Sequence, residues 1–245
     1  MKLQVLLAQP NHQYQNSVFL PYSVGLLQSF AQKDPLIRSQ YEFLTPIFRR
    51  EKIADVVQRV GRVDILACSV YIWNSSYCLA LAKAIKEANP HCLVVLGGPH
   101  VPVESKDYFH LYPYADLLVH YEGEQAFYEV LLKLLDNQNW WLTGQPPLTP
   151  WESVEGLSLH CPDGSALKTE ARERIHDLDD IPSPYLSGVF DELLTQDHDW
   201  HVTWEGTRGC PFACTFLRLG KSHIIESEEA FRSVPHGRDR VVRAA

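Results

Sequence analysis

Cys210 and Cys214 stand four positions apart in TRGCPFACTF (207–216), directly after an Arg-Gly step and with Pro211 between them. Two thiolates separated by three residues on a proline-stiffened loop after a strand suit iron or zinc. A metal centre of that kind calls for another thiolate nearby, and Leu217 stands where it would be expected. The plainer alternative is two buried cysteines in a compact turn. Cys68, Cys78, Cys92 and Cys161 are scattered and read as core or surface thiols.

A second group of chemically capable residues follows apolar runs in the first half of the chain. Gln9 and Asn11 follow the first run. Ser69, Tyr71, Trp73 and Asn74 close the third, Gly97, Gly98 and His100 the fourth, and Glu122, Gly123 and Glu124 the last. Adjacent glycines permit close backbone approach by something bulky, and Tyr71 and Trp73 offer large flat surfaces. Singly, each has an ordinary explanation: a tight turn, core aromatics, a surface histidine. No G-x-G-x-x-G follows the first run, which weakens a dinucleotide reading.

These residues need a scaffold, and the pattern supplies one. The runs 3–8, 63–70, 93–96 and 115–119 are apolar without strict alternation, as strands buried on both faces are, and 41–44 is a weaker strand. Between them, 22–31, 50–60, 76–88 and 124–135 carry helical periodicity, the third capped by Ser75 or Ser76 and stopped at Asn89-Pro90. Strands alternating with helices predict an α/β, doubly wound, Rossmann-like parallel sheet, whose ligands bind at the carboxyl ends of the strands. All four groups of residues lie at those ends.

After 137 the character changes. Residues 138–198 read as a linker, with a hairpin (156–160 and 166–169, turning at Pro162-Asp163-Gly164) and an extended proline-rich connector, DLDDIPSPYLSGVF. HVTWE (201–205) reads as a strand leading into the cysteine turn. A net charge of −8 argues against a nucleic-acid footprint and favours a small-molecule partner. The N-terminal apolar run is too short for a signal peptide or a membrane span, so the expected location is the cytoplasm.

With VYIWN (70–74), LGGPHVP (96–102), EGE (122–124), DLDDIPSPYL (177–186) and TRGCPFACTF (207–216) in view, the chain resembles the cobalamin-binding radical SAM proteins. The resemblance implies a cobalamin-binding domain at 1–137, a connector at 138–198, and at 199–216 the stub of a partial TIM barrel. It also implies a C-x3-C-x2-C loop holding a 4Fe-4S cluster that binds S-adenosylmethionine, with cobalamin relaying a methyl group. Cys210 and Cys214 match the first two ligands, and Leu217 replaces the third. Leu217-Arg218-Leu219-Gly220 can be encoded by a string that, read one base later, gives Cys-Asp-Trp, so 217–245 is expected to be a frameshifted or disordered tail. The expected function is that of a cobalamin-binding module, truncated and catalytically incomplete; the alternative is a doubly wound domain that has lost its ligand. No D-x-H-x-x-G stretch is present to supply a histidine below the cobalt.

Overall fold

The computed structural model describes residues 2–136 and 151–208. Met1–Arg174 with Ile181–Thr203 forms one compact unit; Ile175–Asp180 with the chain from Trp204 forms a second. Within the second, the described residues include a single 3-10 turn, Leu178–Asp180, and an Arg208–Glu205 ion pair of 2.9 Å.

In chain order the first unit contains β1 (Leu3–Asn11), β2 (Gln13–Tyr14), β3 (Ser17–Phe19), α1 (Tyr22–Ala31), α2 (Pro35–Gln40), β4 (Tyr41–Phe43), β5 (Ile47–Arg49), α3 (Ile53–Val60) and β6 (Ile65–Ser69). It continues with α4 (Ser75–Ala88), β7 (Leu93–Gly97), α5 (Lys106–Leu111), β8 (Leu117–Val119), α6 (Glu124–Asp136), β9 (Leu157–His160), β10 (Ala166–Lys168), the short helix Asp191–Leu194 and β11 (Asp199–His201).

The main sheet runs β10-β9-β8-β7-β6-β1-β4, with β5 pairing the upper half of β1. Strands β4 to β8 are parallel to β1; β9 joins β8 antiparallel, so the hairpin extends the same sheet. Burial on both faces explains the unbroken apolar runs. Val5, Leu7, Ile65, Ala67, Val95 and Leu117 face α1 and α6, while Leu6, Ala8, Leu66, Cys68, Val94 and Leu118 face α4 and its neighbours. From β1 the chain passes to β4 and β5 on one side and then to β6 on the other. The switch point therefore lies between the ends of β1 and β6.

Three expectations need correction. Neither Ser75 nor Ser76 caps α4: Asn74 stands at the N-cap, and its side chain makes no cap bond because its amide is spent in the preceding loop. The strand expected at 201–205 is instead Asp199–His201, pairing parallel with β3 in a separate sheet, β11-β3-β2. Trp200 and Val18 pack there with Phe48, whereas Val202 is 65% exposed and has no face to bury against. The connector is also not simply extended. It drives Phe190, fully buried, against α1, where a Cβ on Gly25 would fall 2.3 Å from Phe190 Cζ. Gly25→Ala is therefore expected to cost about 2 kcal/mol through overpacking, read as a lowered urea midpoint with an unchanged slope. An unshifted midpoint would mean that Phe190 is not held there.

Candidate functional site: the carboxyl edge of the parallel sheet

Gln9, near the end of β1, is buried, and its Oε1 accepts hydrogen bonds from the amides of Ser23 (2.9 Å) and Val24 (3.4 Å). Pro21 at the N-cap of α1 has no side-chain acceptor, so a residue from the neighbouring strand takes that role. Asn11 follows, half-buried, in register with Arg49 at the end of β5.

The loop after β6 is built around Asn74. Its Oδ1 accepts from the Tyr71 amide at 2.7 Å and its Nδ2 donates to the Ser69 carbonyl at 3.0 Å, with the residue only 1% exposed. Asn74 thus shapes the loop, and the loop displays Tyr71, Ile72 and Trp73. The Tyr71 and Trp73 rings stack at 4.5 Å and 14°, and Tyr71 Oη lies 2.7 Å from Ser23 Oγ on α1. Ile72 and Trp73 remain open to solvent. Ile72 and Trp73 thus form an exposed apolar patch at the sheet's carboxyl edge, where folds of this class place their ligands.

Gly98 has a structural reason to be glycine. Its φ is +102°, and a Cβ there would stand 2.7 Å from the Val70 carbonyl oxygen and 2.9 Å from the Val70 nitrogen. The turn is tied to β6 by Val70 N to Gly97 O (2.7 Å) and His100 N to Val70 O (3.1 Å). The tight-turn explanation for the glycine pair therefore holds. The same turn keeps the β7 end bare beside the aromatic loop, with the His100 side chain exposed.

At the end of β8, Tyr121 adopts a positive φ of 61° and is exposed, which turns the chain sharply into Glu122, Gly123 and α6. Glu122 and Gly123 are half-buried and Glu124, in the first turn of α6, is buried. A Cβ on Gly123 would approach Leu27 of α1 to 3.2 Å, so this glycine serves helix packing.

Sequence reasoning missed His120. It is 4% exposed, its Nε2 lies 2.8 Å from Ser158 Oγ on β9, and its Nδ1 is buried with no partner among the described residues. The signal was a histidine closing the buried apolar run LLV (117–119). Burial, helped by Lys168 and opposed by Glu104, lowers its pKa from 6.5 to about 4. A histidine whose folded pKa lies below its unfolded value contributes stability fully above pH 6.5, and this is lost as pH falls through 4. Between those limits the protein is expected to lose about 3 kcal/mol. His120→Asn should flatten that part of the stability–pH curve; an unchanged curve would place the titration elsewhere.

The buried cysteines behave as core. A hydrogen bond with Cys78, then burial, raises the Cys68 pKa, and burial pushes Cys92 up to about 12, so both stay protonated. Cys210, Cys214 and Leu217 lie outside the described residues, as do 137–150 and the rest of the tail. No cluster of metal-ligating side chains occurs among the described residues, and no helix there is long and apolar enough to cross a membrane.

Residues 40–131, from just before β4 into α6, match the family model of the B12 binding domain. Sheet, loops and match together define a B12 binding domain. Over 208 residues, 83% of the chain, it is 36% identical to 2-(S-pantetheinyl)-carbapenam-3-carboxylate methyltransferase of Streptantibioticus cattleyicolor and to the cobalamin-dependent radical SAM methyltransferase TokK of Streptomyces tokunonensis. It is 28% identical over 70% of its length to the anaerobic magnesium-protoporphyrin IX monomethyl ester cyclase of Rubrivivax gelatinosus. The chain spans 29% of the length of each of these relatives. Its fold is that of the cobalamin-dependent S-adenosylmethionine radical enzyme OxsB, solved with aqua-cobalamin and S-adenosylmethionine: TM-score 0.62 and 17% identity over 95% of this chain and 32% of that one. The chain carries a cobalamin-binding module of the kind found in the cobalamin-dependent radical SAM methyltransferases.

Proposed function

We propose that this chain binds cobalamin across the carboxyl edge of the parallel sheet, with the corrin lying over the loops that end β1, β6, β7 and β8. The observation that carries the reading is the pairing, on one edge, of the stack of half-buried Tyr71 on exposed Trp73 with the turn at Gly97 and Gly98. A corrin is broad and largely apolar on its faces, and those two features offer it a flat platform and room. Asn11, Tyr71, Trp73 and His100 would contact the ring, while Glu122, Gly123 and Glu124 would border it from the last parallel strand. Ser69 and Asn74 would act through the loop they hold in shape. When bound, cobalamin would supply a cobalt centre able to carry a methyl group, and this chain's residues would hold the ring.

The cluster site does not fit in the same way. Cys210 and Cys214 give two thiolates and Leu217 occupies the third position, whereas a cluster that leaves one iron open for S-adenosylmethionine is held by three. No radical step is assigned to this chain, and its role is that of a cobalamin-binding module; methyl transfer is the activity for which two of its relatives are named. Anaerobic reconstitution with iron and sulfide, followed by desalting and metal analysis, tests this. The expected result is iron near zero with corrinoid retained; a full cluster's complement of iron on each chain would restore the enzyme reading.

A further inference from the structure

Beside the proposed cofactor face, the end of β5 holds two guanidinium groups that the reading above does not use. Arg49 is half-buried, in register with Asn11, with its Cζ 5.4 Å from the centre of the Phe48 ring. Its Nη1 lies 3.4 Å from His198 Nε2. On the other side of that imidazole, Nδ1 lies 3.2 Å from Asn16 Oδ1. An amide oxygen only accepts, so Nδ1 carries the proton and Nε2 offers a lone pair to Arg49. The group that steadies this guanidinium is therefore a neutral ring.

Arg50 donates to the Trp73 carbonyl, which ties the second guanidinium to the aromatic loop. The adjacent acid, Glu51, is paired with Arg59 at 2.9 Å. Among the described residues no carboxylate lies within 4.0 Å of Arg49 or Arg50. The chain carries 30 acidic against 22 basic residues, so acids were available to neutralise the pair. Trp200, whose ring lies 5.3 Å from His198 and 5.2 Å from Phe48, adds a buried Nε1 donor with no acceptor among the described residues. Donors and positive charge are gathered here without matching acceptors.

We infer that Arg49, steadied by His198 and assisted by Arg50, binds an oxyanion of the phosphate class at the rim of the carboxyl edge. The planar fork of a guanidinium matches two oxygens of such a group, and half-burial strengthens the contact over one in open water. The phosphate could come from the nucleotide tail of cobalamin or from a separate anionic small molecule. Only the first source rests on the cobalamin reading.

The test compares the wild-type chain with Arg49→Gln and Arg49→Lys, titrating each with hydroxocobalamin, with cobinamide, which has the ring but no nucleotide phosphate, and with inorganic pyrophosphate. If the phosphate belongs to the cofactor, Arg49→Gln weakens hydroxocobalamin about tenfold or more and leaves cobinamide unchanged. If it belongs to another molecule, Arg49→Gln weakens pyrophosphate by a similar factor and leaves both corrinoids unchanged. In either case Arg49→Lys recovers part of the loss and added salt weakens the affected ligand. Wild-type affinity of Arg49→Gln for all three ligands, or an equal loss for both corrinoids with pyrophosphate unaffected, would overturn the inference. A wild-type chain that binds pyrophosphate and no corrinoid would overturn the cobalamin reading and leave this site standing. Thermal unfolding of each variant separates loss of the site from loss of the fold.

Discussion

Gly98→Ala is expected to lower corrinoid affinity at least about tenfold and to cost about 2 kcal/mol of stability. At φ +102° an alanine is strained in any surroundings, and here its Cβ would stand within 2.9 Å of two Val70 backbone atoms. Backbone cannot rotate away as a side-chain tip can, so the turn must leave β6. That motion breaks the Val70–Gly97 and His100–Val70 hydrogen bonds that hold the β7 end open. The strain is confined to the turn after β7, so circular dichroism should report an intact sheet while binding falls. Binding at wild-type strength in the variant would mean that the turn has no part in the site.

The second large effect lies at the opposite edge. Lys86 Nζ, near the end of α4, reaches both oxygens of Asp116 at 2.9 and 2.7 Å and the Cys92 carbonyl at 2.7 Å. Asp116 also accepts from the Val94 amide at 2.7 Å, so the pair joins α4 to β7 and β8. Burial already raises the Asp116 pKa against the pull of Lys86. Lys86→Met leaves a mostly buried carboxylate, its side chain 14% exposed, without its cation and is expected to cost about 3 kcal/mol in urea unfolding at about pH 8. The sign with pH follows. A carboxyl whose folded pKa exceeds its unfolded value binds more protons when folded, so stability falls as pH rises through that window. The variant should therefore recover stability on acidification. A loss that stays constant from about pH 8 down to about pH 5 would mean that the carboxylate is not buried as described.

What the sequence made legible was whatever repeats along it. The limits of α1 agree with the periodicity, and the five expected strands lie inside or slightly beyond their apolar runs. β3 and β5 are three residues long and, unlike β8, lie in no longer apolar run that would mark them, so they were missed, and with β5 went Arg49. Helix α2 carried a signal in Asp34-Pro35, where Asp34 accepts from the Leu36 amide, but six residues are too few to display a face. The glycine pair could be seen as a turn, yet the backbone it presses against belongs to another strand. Contacts between distant positions were out of reach altogether: His120 meets Ser158 across 38 residues, and Arg49 meets His198 across 149.

The central claim is that the carboxyl edge holds cobalamin. Its most direct test is a titration of the purified chain with hydroxocobalamin, followed by gel filtration and an absorbance spectrum of the protein peak. The account predicts corrinoid co-eluting with the chain in equimolar amount, and its loss in Gly98→Ala. A folded protein that elutes colourless at saturating corrinoid would contradict it.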